Sequence, residues 1–224
     1  MEASHDLIEL FGLQFNLRII IMSLIVTVIM VVIAWLASRK ISLVPNGWQN
    51  VGEMLVEMIQ SMLRDSMGEL GVKYTYFFGS LFLFILISNM LGLIPLLASP
   101  TRDVSVTLAL AFLWLIWAQY IAIRENGIAN YFKHFFQPVF FFMPIHLMEM
   151  LTRPLTLALR LFGNIFAGEI LLEQLTMQFK LIVPSFWILM SILIGGIQAY
   201  IFTVLTVSYT GLSVSHEDHT EHSH

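Results

Sequence analysis

The sequence predicts an all-α integral membrane protein with about five membrane helices and one interfacial amphipathic helix. Three observations carry that prediction. The 224 residues are 58% hydrophobic and only 12% charged, roughly half the charged share of a soluble domain. Mean hydropathy is +0.81. The apolar residues also gather into runs of membrane-crossing length, separated by short polar stretches. The same composition narrows the function. A net charge of −4 gives no electrostatic case for nucleic acid. With no cysteine, disulfides and thiolate metal sites are excluded and the redox compartment stays open.

Residues 1–224 read as a single membrane domain. Met1 to Asp6 is acidic and lacks the basic region of a cleavable signal peptide, so the first apolar run reads as a retained span. That run, 17–38, is rich in Ile, Val and Met and is closed by Arg39 and Lys40; its length fits one outer helix. Over 47–70, Trp48, Val51, Met54, Leu55, Met58 and Met62 alternate at helical spacing with Glu53, Glu57, Arg64, Asp65 and Glu69. This pattern predicts an amphipathic helix in the interface plane. Residues 75–123 form a helical hairpin. Its spans, 75–97 and 104–123, are joined by a turn at Ser99-Pro100-Thr101-Arg102-Asp103. Trp114, Trp117 and Tyr120 suit an interface belt. A polar connector with Lys133 and His134 leads into 138–213, two long apolar stretches. The first, 138–172, would measure roughly 50 Å as a straight helix, against a hydrocarbon core of about 30 Å. It must tilt steeply, kink near Pro144 or Pro154, or begin in the interface. The tail, 214–224, is rich in His and acid; its four histidines could bind metal in a test tube, but the composition reads as a solvated coil.

Orientation follows from the basic residues. With five spans, Arg39, Lys40, Arg64, Lys73, Arg124 and Lys133 share one side, and Arg18, Arg102 and Lys180 the other. The bias puts the first side in the cytoplasm, the N-terminus outside and the C-terminus inside. No internal repeat of the kind seen in many secondary transporters is visible.

The chemistry lies in the fourth span. Arg160 sits in Leu157-Ala158-Leu159-Arg160-Leu161-Phe162-Gly163-Asn164. A guanidinium stays protonated at any accessible pH. Holding one at membrane depth costs at least about 2.5–3.5 kcal/mol, which points to a site on an ion or proton path. At about 100° per residue, His146, Glu149, Arg153, Thr156 and Asn164 fall on the face of Arg160. Glu169 falls on the opposite face, with Glu173 one turn beyond. This is a layout of two polar paths divided by a fixed positive charge. The cation repels hydronium and drives any carboxylic acid brought against it to release its proton.

Milder readings stand beside these. Glu149 and Arg153 also fit an ordinary i,i+4 ion pair. Gly163, Ala167 and Gly168 fit close helix packing. Gln198 and Asn89, lone polar groups in the fifth and second spans, read as glue between helices. Nothing in the span neutralises Arg160. A stand-alone channel or transporter would need a second charged span or a repeat to do so, and a structural anchor gives no reason to keep the charge.

The run around Arg160, followed by Ala167-Gly168-Glu169, closely resembles the signature of subunit a of the F-type ATP synthase. A second signature matches Asn89, Gly92 and Pro95, then Pro100, Thr101 and Asp103. A third matches residues 198–206, Gln-Ala-Tyr-Ile-Phe-Thr-Val-Leu-Thr. The likeness runs from about residue 45 onward, and the tail and spacing resemble a bacterial form. It implies that the last two helices are strongly tilted and curve along a ring of c subunits. It implies a non-catalytic, proton-translocating stator subunit in the bacterial plasma membrane, partnered by the c-ring, the subunit b stalk, the remaining subunits and lipid. Arg160 would face the ring carboxylate. Glu169, Asn164 and Gln198 would line the outer half-channel, and Thr156, Glu149 and His146 the cytoplasmic one. Two positions depart from common family patterns: His146 stands where many bacterial members have an acid, and Ser191 where some place a titratable group. No phosphate-binding loop occurs, so nucleotide chemistry and cofactors belong elsewhere.

Overall fold

The computed structural model describes residues 7–10, 13–39, 47–94, 97, 99–127, 143–178 and 182–215. The first described residues form a short antiparallel pair, β1 (Leu7–Leu10) and β2 (Leu13–Asn16), with Leu10 opposite Leu13. The helical reading did not anticipate it. Among the described residues six α-helices follow: α1 (Leu17–Ser38), α2 (Trp48–Met67), α3 (Thr75–Leu91), α4 (Val104–Asn126), α5 (Met143–Gln178) and α6 (Ile182–Ser215). Among the described residues, five helical segments are long and apolar enough to cross a membrane, so the all-α membrane class holds.

Local chemistry sets the helix ends. The Asn16 side chain accepts from the Arg18 N–H at 3.1 Å and caps α1; Asp103 does the same for α4 through the Ser105 N–H at 2.7 Å. Both satisfy N–H groups that a helix start leaves without partners. Gly68, at φ 64°, ends α2, and its N–H returns to the Arg64 carbonyl; the left-handed backbone favours glycine there.

In lipid, apolar burial alone gives helices little reason to associate, so close packing and interhelical hydrogen bonds carry the bundle. One core joins Ile59 and Leu63 of α2, Phe78, Leu81 and Ile85 of α3, Trp114 and Ile121 of α4, Leu157 and Leu161 of α5, and Phe202 and Val207 of α6. The outer helix α1 buries only Met22 and Val26. Val26 packs with Ile87 and Leu91 in a second, smaller cluster.

Polar ties fix the two ends of the α3–α4 hairpin. At one end Lys73 Nζ lies 2.6 Å from Glu125 Oε1, and the Tyr74 hydroxyl donates to the same oxygen at 2.5 Å. Asn126 donates to the Ser213 carbonyl at 3.2 Å and draws in the end of α6. In between, Trp114 Nε1 donates to the Thr206 carbonyl and to Thr210 Oγ1, each at 3.1 Å. At the other end lies a 3₁₀ turn, Pro100–Arg102, held by the network described below.

α5 has 36 residues and α6 has 34. At 1.5 Å per residue each runs to about 50 Å, well beyond a core of about 30 Å, so neither stands upright in a bilayer. Pro154 sits inside α5 and removes one backbone donor there.

Candidate functional site

α5 presents two polar regions on different faces. Arg160 is on the exposed face, flanked along the helix by exposed Leu151, Leu155, Leu159 and Phe166. The neighbouring face of α6 is likewise open and apolar through Leu189, Leu193, Ile197 and Tyr200. No acidic side chain pairs with Arg160 among the described residues. A permanent cation thus stands on the exposed side of a helix of membrane-crossing length, beside apolar surface, and has no acidic partner among the described residues.

Gly163, one turn from Arg160, opens onto space: a Cβ there meets nothing within 4 Å among the described residues, and the same holds at Gly168. Whatever these glycines allow to pack closely at their Cα hydrogens is not among the described residues. The close approaches occur elsewhere. A Cβ on Gly195 would lie 3.2 Å from Asn89 Cβ, and one on Gly211 would lie 2.5 Å from the Ser66 carbonyl oxygen.

Toward the N-terminal end of α5, Arg153 Nη2 lies 3.1 Å from Glu149 Oε2, the i,i+4 pair. The Arg153 guanidinium also sits 5.2 Å from the Tyr209 ring centroid of α6. The Thr156 hydroxyl donates to the Thr152 carbonyl at 2.8 Å and keeps its lone pairs free to accept. His146 falls in the first turn of α5, and its side chain is outside the described residues. So are Lys133, His134 and the tail from His216 onward.

The second region is enclosed. Glu169 is turned away from the Arg160 face and is only 17% exposed, with Oε2 3.0 Å from Arg102 Nη1. It borders a cavity of about 170 Å³ between α3, α5 and α6, lined also by Asn89, Gly92, Asn164, Trp187, Ser191 and Gly195. Glu169 is the sole ionisable side chain among the lining residues. Such a volume admits several waters. Glu169 Oε1 is buried without a hydrogen-bond partner among the described residues. The same is true of Nε2 of Gln198, which lies one turn past Gly195 and is 5% exposed.

A buried relay backs the cavity. Asn89 Nδ2 donates to the Gly195 carbonyl at 3.0 Å, and Thr101 Oγ1 donates to Asn89 Oδ1 at 2.9 Å. Ser99 Oγ lies 2.7 Å from Thr101 Oγ1 and donates to the Ser88 carbonyl at 2.9 Å. Trp187 Nε1 donates to the Gly168 carbonyl at 3.1 Å and closes the side toward the start of α6. Asn89 thereby acts as glue, as read from the sequence, and Asn89 and Gly195 both form cavity wall.

The structure therefore brings Glu169 and Asn164 together at one cavity, with Asn89 and Ser191. It separates them from Glu149 and Thr156. Arg160 lies between the two groups: nine residues, about 14 Å along the helix, from Glu169, and eleven residues, about 16 Å, from Glu149. Sequence reasoning missed Arg102 as a partner, although the charge itself is visible in the turn. It also missed the row Thr203, Thr206 and Thr210, all fully buried on α6; their i, i+3, i+7 spacing is the signal that marks one face. Among the described residues, no cluster of His, Asp and Glu gathers in a way that holds a metal ion.

Comparison with known proteins is consistent in direction. A family model described as ATP synthase A chain matches residues 20–211. The chain is 40% identical over 204 residues to an ATP synthase subunit a of Sulfurihydrogenibium sp., covering 89% of this chain and 98% of that protein. It is 38% identical over 228 residues to ATP synthase subunit a of Limosilactobacillus fermentum, covering 93% and 97% of the two chains. It is 38% identical over 185 residues to ATP synthase subunit a of Moorella thermoacetica, covering 83% and 85%.

Proposed function

The chain belongs to the ATP synthase A chain family, whose relatives are subunit a of ATP synthases, and from that membership we propose that it carries two proton half-channels divided by Arg160. As a multi-pass membrane subunit it assembles with other ATP synthase subunits. In our reading those beside it are a ring of c subunits, each with a mid-membrane carboxylate, and the subunit b stalk. The membrane is the bacterial plasma membrane, with the N-terminus outside and the C-terminus in the cytoplasm. The chain itself catalyses no nucleotide chemistry.

The single observation that carries this reading is an exposed Arg160 on a helix of membrane-crossing length, with no acidic partner among the described residues. An unpaired guanidinium in hydrocarbon is expensive. A passing ring carboxylate supplies the missing charge. In the proposed cycle a proton comes from outside through the Glu169, Asn164 and Gln198 region and neutralises a ring carboxylate. The neutral acid then tolerates lipid, where its ionised form does not. After nearly a full turn it meets the path near Thr156, Glu149 and His146 and gives its proton to the cytoplasm. Arg160 repels hydronium at the junction and so prevents a direct leak between the paths. Each charge crossing the membrane yields about 2.3 kcal/mol per 100 mV, so several protons drive each ATP.

The test is Arg160→Ala in the assembled complex. Proton-driven ATP synthesis is expected to vanish, while the detached catalytic head continues to hydrolyse ATP. Normal coupled synthesis in that variant would defeat the proposal.

A further inference from the structure

We infer that Arg102 is a positioning residue for proton uptake: it holds Glu169 from the Pro100–Arg102 turn and leaves one carboxylate oxygen free for the proton. The inference rests on the outer-path role proposed for Glu169.

Two features of the geometry lead there. The first is how the carboxylate is divided. Oε2 is held by Arg102 Nη1 at 3.0 Å. Oε1 is buried and accepts from no side chain among the described residues, with the Ser99 backbone N–H also facing the carboxylate, and it sits 3.0 Å from where a Cβ on Gly92 would stand. Glu169 and Gly92 both line the cavity. The second is how firmly Arg102 is placed. Its own N–H donates to the Ser99 carbonyl at 3.1 Å, and the next N–H, of Asp103, donates to the Pro100 carbonyl at 3.2 Å. Ser99 and Thr101 are tied into the Asn89–Gly195 relay. The turn bearing the guanidinium is thus anchored to α3 and α6, and Arg102 reaches across to α5.

Charge bookkeeping supports the assignment. Burying an isolated carboxylate is costly, and an opposite charge at contact distance offsets much of that cost. No other cation pairs with Glu169 among the described residues, and no other cavity-lining side chain is ionisable. Arg102 is about half exposed (49%), so it bridges the outer surface and the enclosed oxygen. A guanidinium does not give up its proton, so it cannot itself relay one. It fixes Oε2, and the proton forms its O–H bond at Oε1, leaving a cavity water that is replenished from outside. The same bond breaks when the proton passes on toward the ring carboxylate, and Glu169 returns to its pair with Arg102.

The experiment measures ATP-driven proton pumping by the whole complex in inverted membrane vesicles, normalised to the amount of assembled subunit. Arg102→Gln, Arg102→Lys and Glu169→Gln are compared in parallel. Arg102→Gln is expected to pump at least fivefold more slowly, and Arg102→Lys within twofold of the parent, because it restores the charge. Arg102→Gln at the parental rate beside a slow Glu169→Gln overturns this inference alone. So does Arg102→Lys as slow as Arg102→Gln. Parental pumping by Glu169→Gln sinks the outer-path reading itself, and a slow Arg102→Gln in that case shows Arg102 acting elsewhere. If Arg102→Gln does not assemble, Arg102→Lys carries the test: a rate within twofold supports the inference, and a loss as large as that of Glu169→Gln overturns it.

Discussion

Asn89 in α3 donates to the carbonyl oxygen of Gly195 in α6 at 3.0 Å, joining residues 106 apart in sequence. Gly195 permits this, because a Cβ there would already press to 3.2 Å on Asn89 Cβ. The other end of the amide accepts from Thr101. One side chain therefore sets the distance between two helices and the position of the α3–α4 turn. Asn89→Leu keeps similar bulk and removes both bonds, leaving the buried Thr101 hydroxyl only Ser99 Oγ as a partner. Interhelical bonds in membranes average about 0.6 kcal/mol and reach about 1.7 kcal/mol. With two lost, a destabilisation of about 1–3 kcal/mol is expected. It is read as a lower thermal midpoint of the purified membrane sector in detergent, and an unchanged midpoint contradicts the role.

Glu169→Gln keeps the shape of the cavity wall and removes its one ionisable group. If proton uptake passes through this carboxylate, passive proton conductance through the membrane sector falls several-fold, with the complex still assembled. Conductance equal to that of the parent counts against the outer path.

Helical angle alone separated Arg160 from Glu169. About 100° per residue places them on opposite faces, and in the fold one is exposed on the open surface while the other is enclosed beside α3. Such a relationship is local to one helix and so can be read from spacing. The Arg102–Glu169 pair is not local. It depends on how the Pro100–Arg102 turn packs against α5, and no spacing encodes that. The neighbour of Gly163 is not encoded locally either: small residues signal a close approach without saying whether the neighbour belongs to the same chain. The β1–β2 pair had a weak signal, alternation in Leu7-Ile8-Glu9-Leu10 and Leu13-Gln14-Phe15-Asn16 around a Gly12.

Gly163 offers a test that separates the open face from the fold. A side chain there meets nothing of the described chain, so Gly163→Phe is expected to leave the amount of subunit in the membrane within twofold of the parent. A ring of helices packed near Arg160 would meet the added ring, and ATP synthesis should fall at least tenfold. Parental synthesis by Gly163→Phe argues that no rotor passes at that height.

Gly211 makes the opposite prediction. It faces Ser66 of α2, and a Cβ would stand 2.5 Å from the Ser66 carbonyl oxygen and 3.1 Å from Ser66 Cβ. Backbone carbonyls do not yield as a flexible side-chain end does, so α2 or α6 must move. The nearby ties resist that movement: Trp114 bonds to Thr206 and Thr210, and Asn126 bonds to the Ser213 carbonyl. Overpacking of a tight contact costs about 1–3 kcal/mol. Gly211→Val is therefore expected to lower the thermal midpoint of the membrane sector and reduce the amount of assembled subunit, whereas Gly163→Val, with open space at its Cβ, changes neither. Equal effects of the two valine substitutions would mean that the α2–α6 contact is looser than 2.5 Å implies.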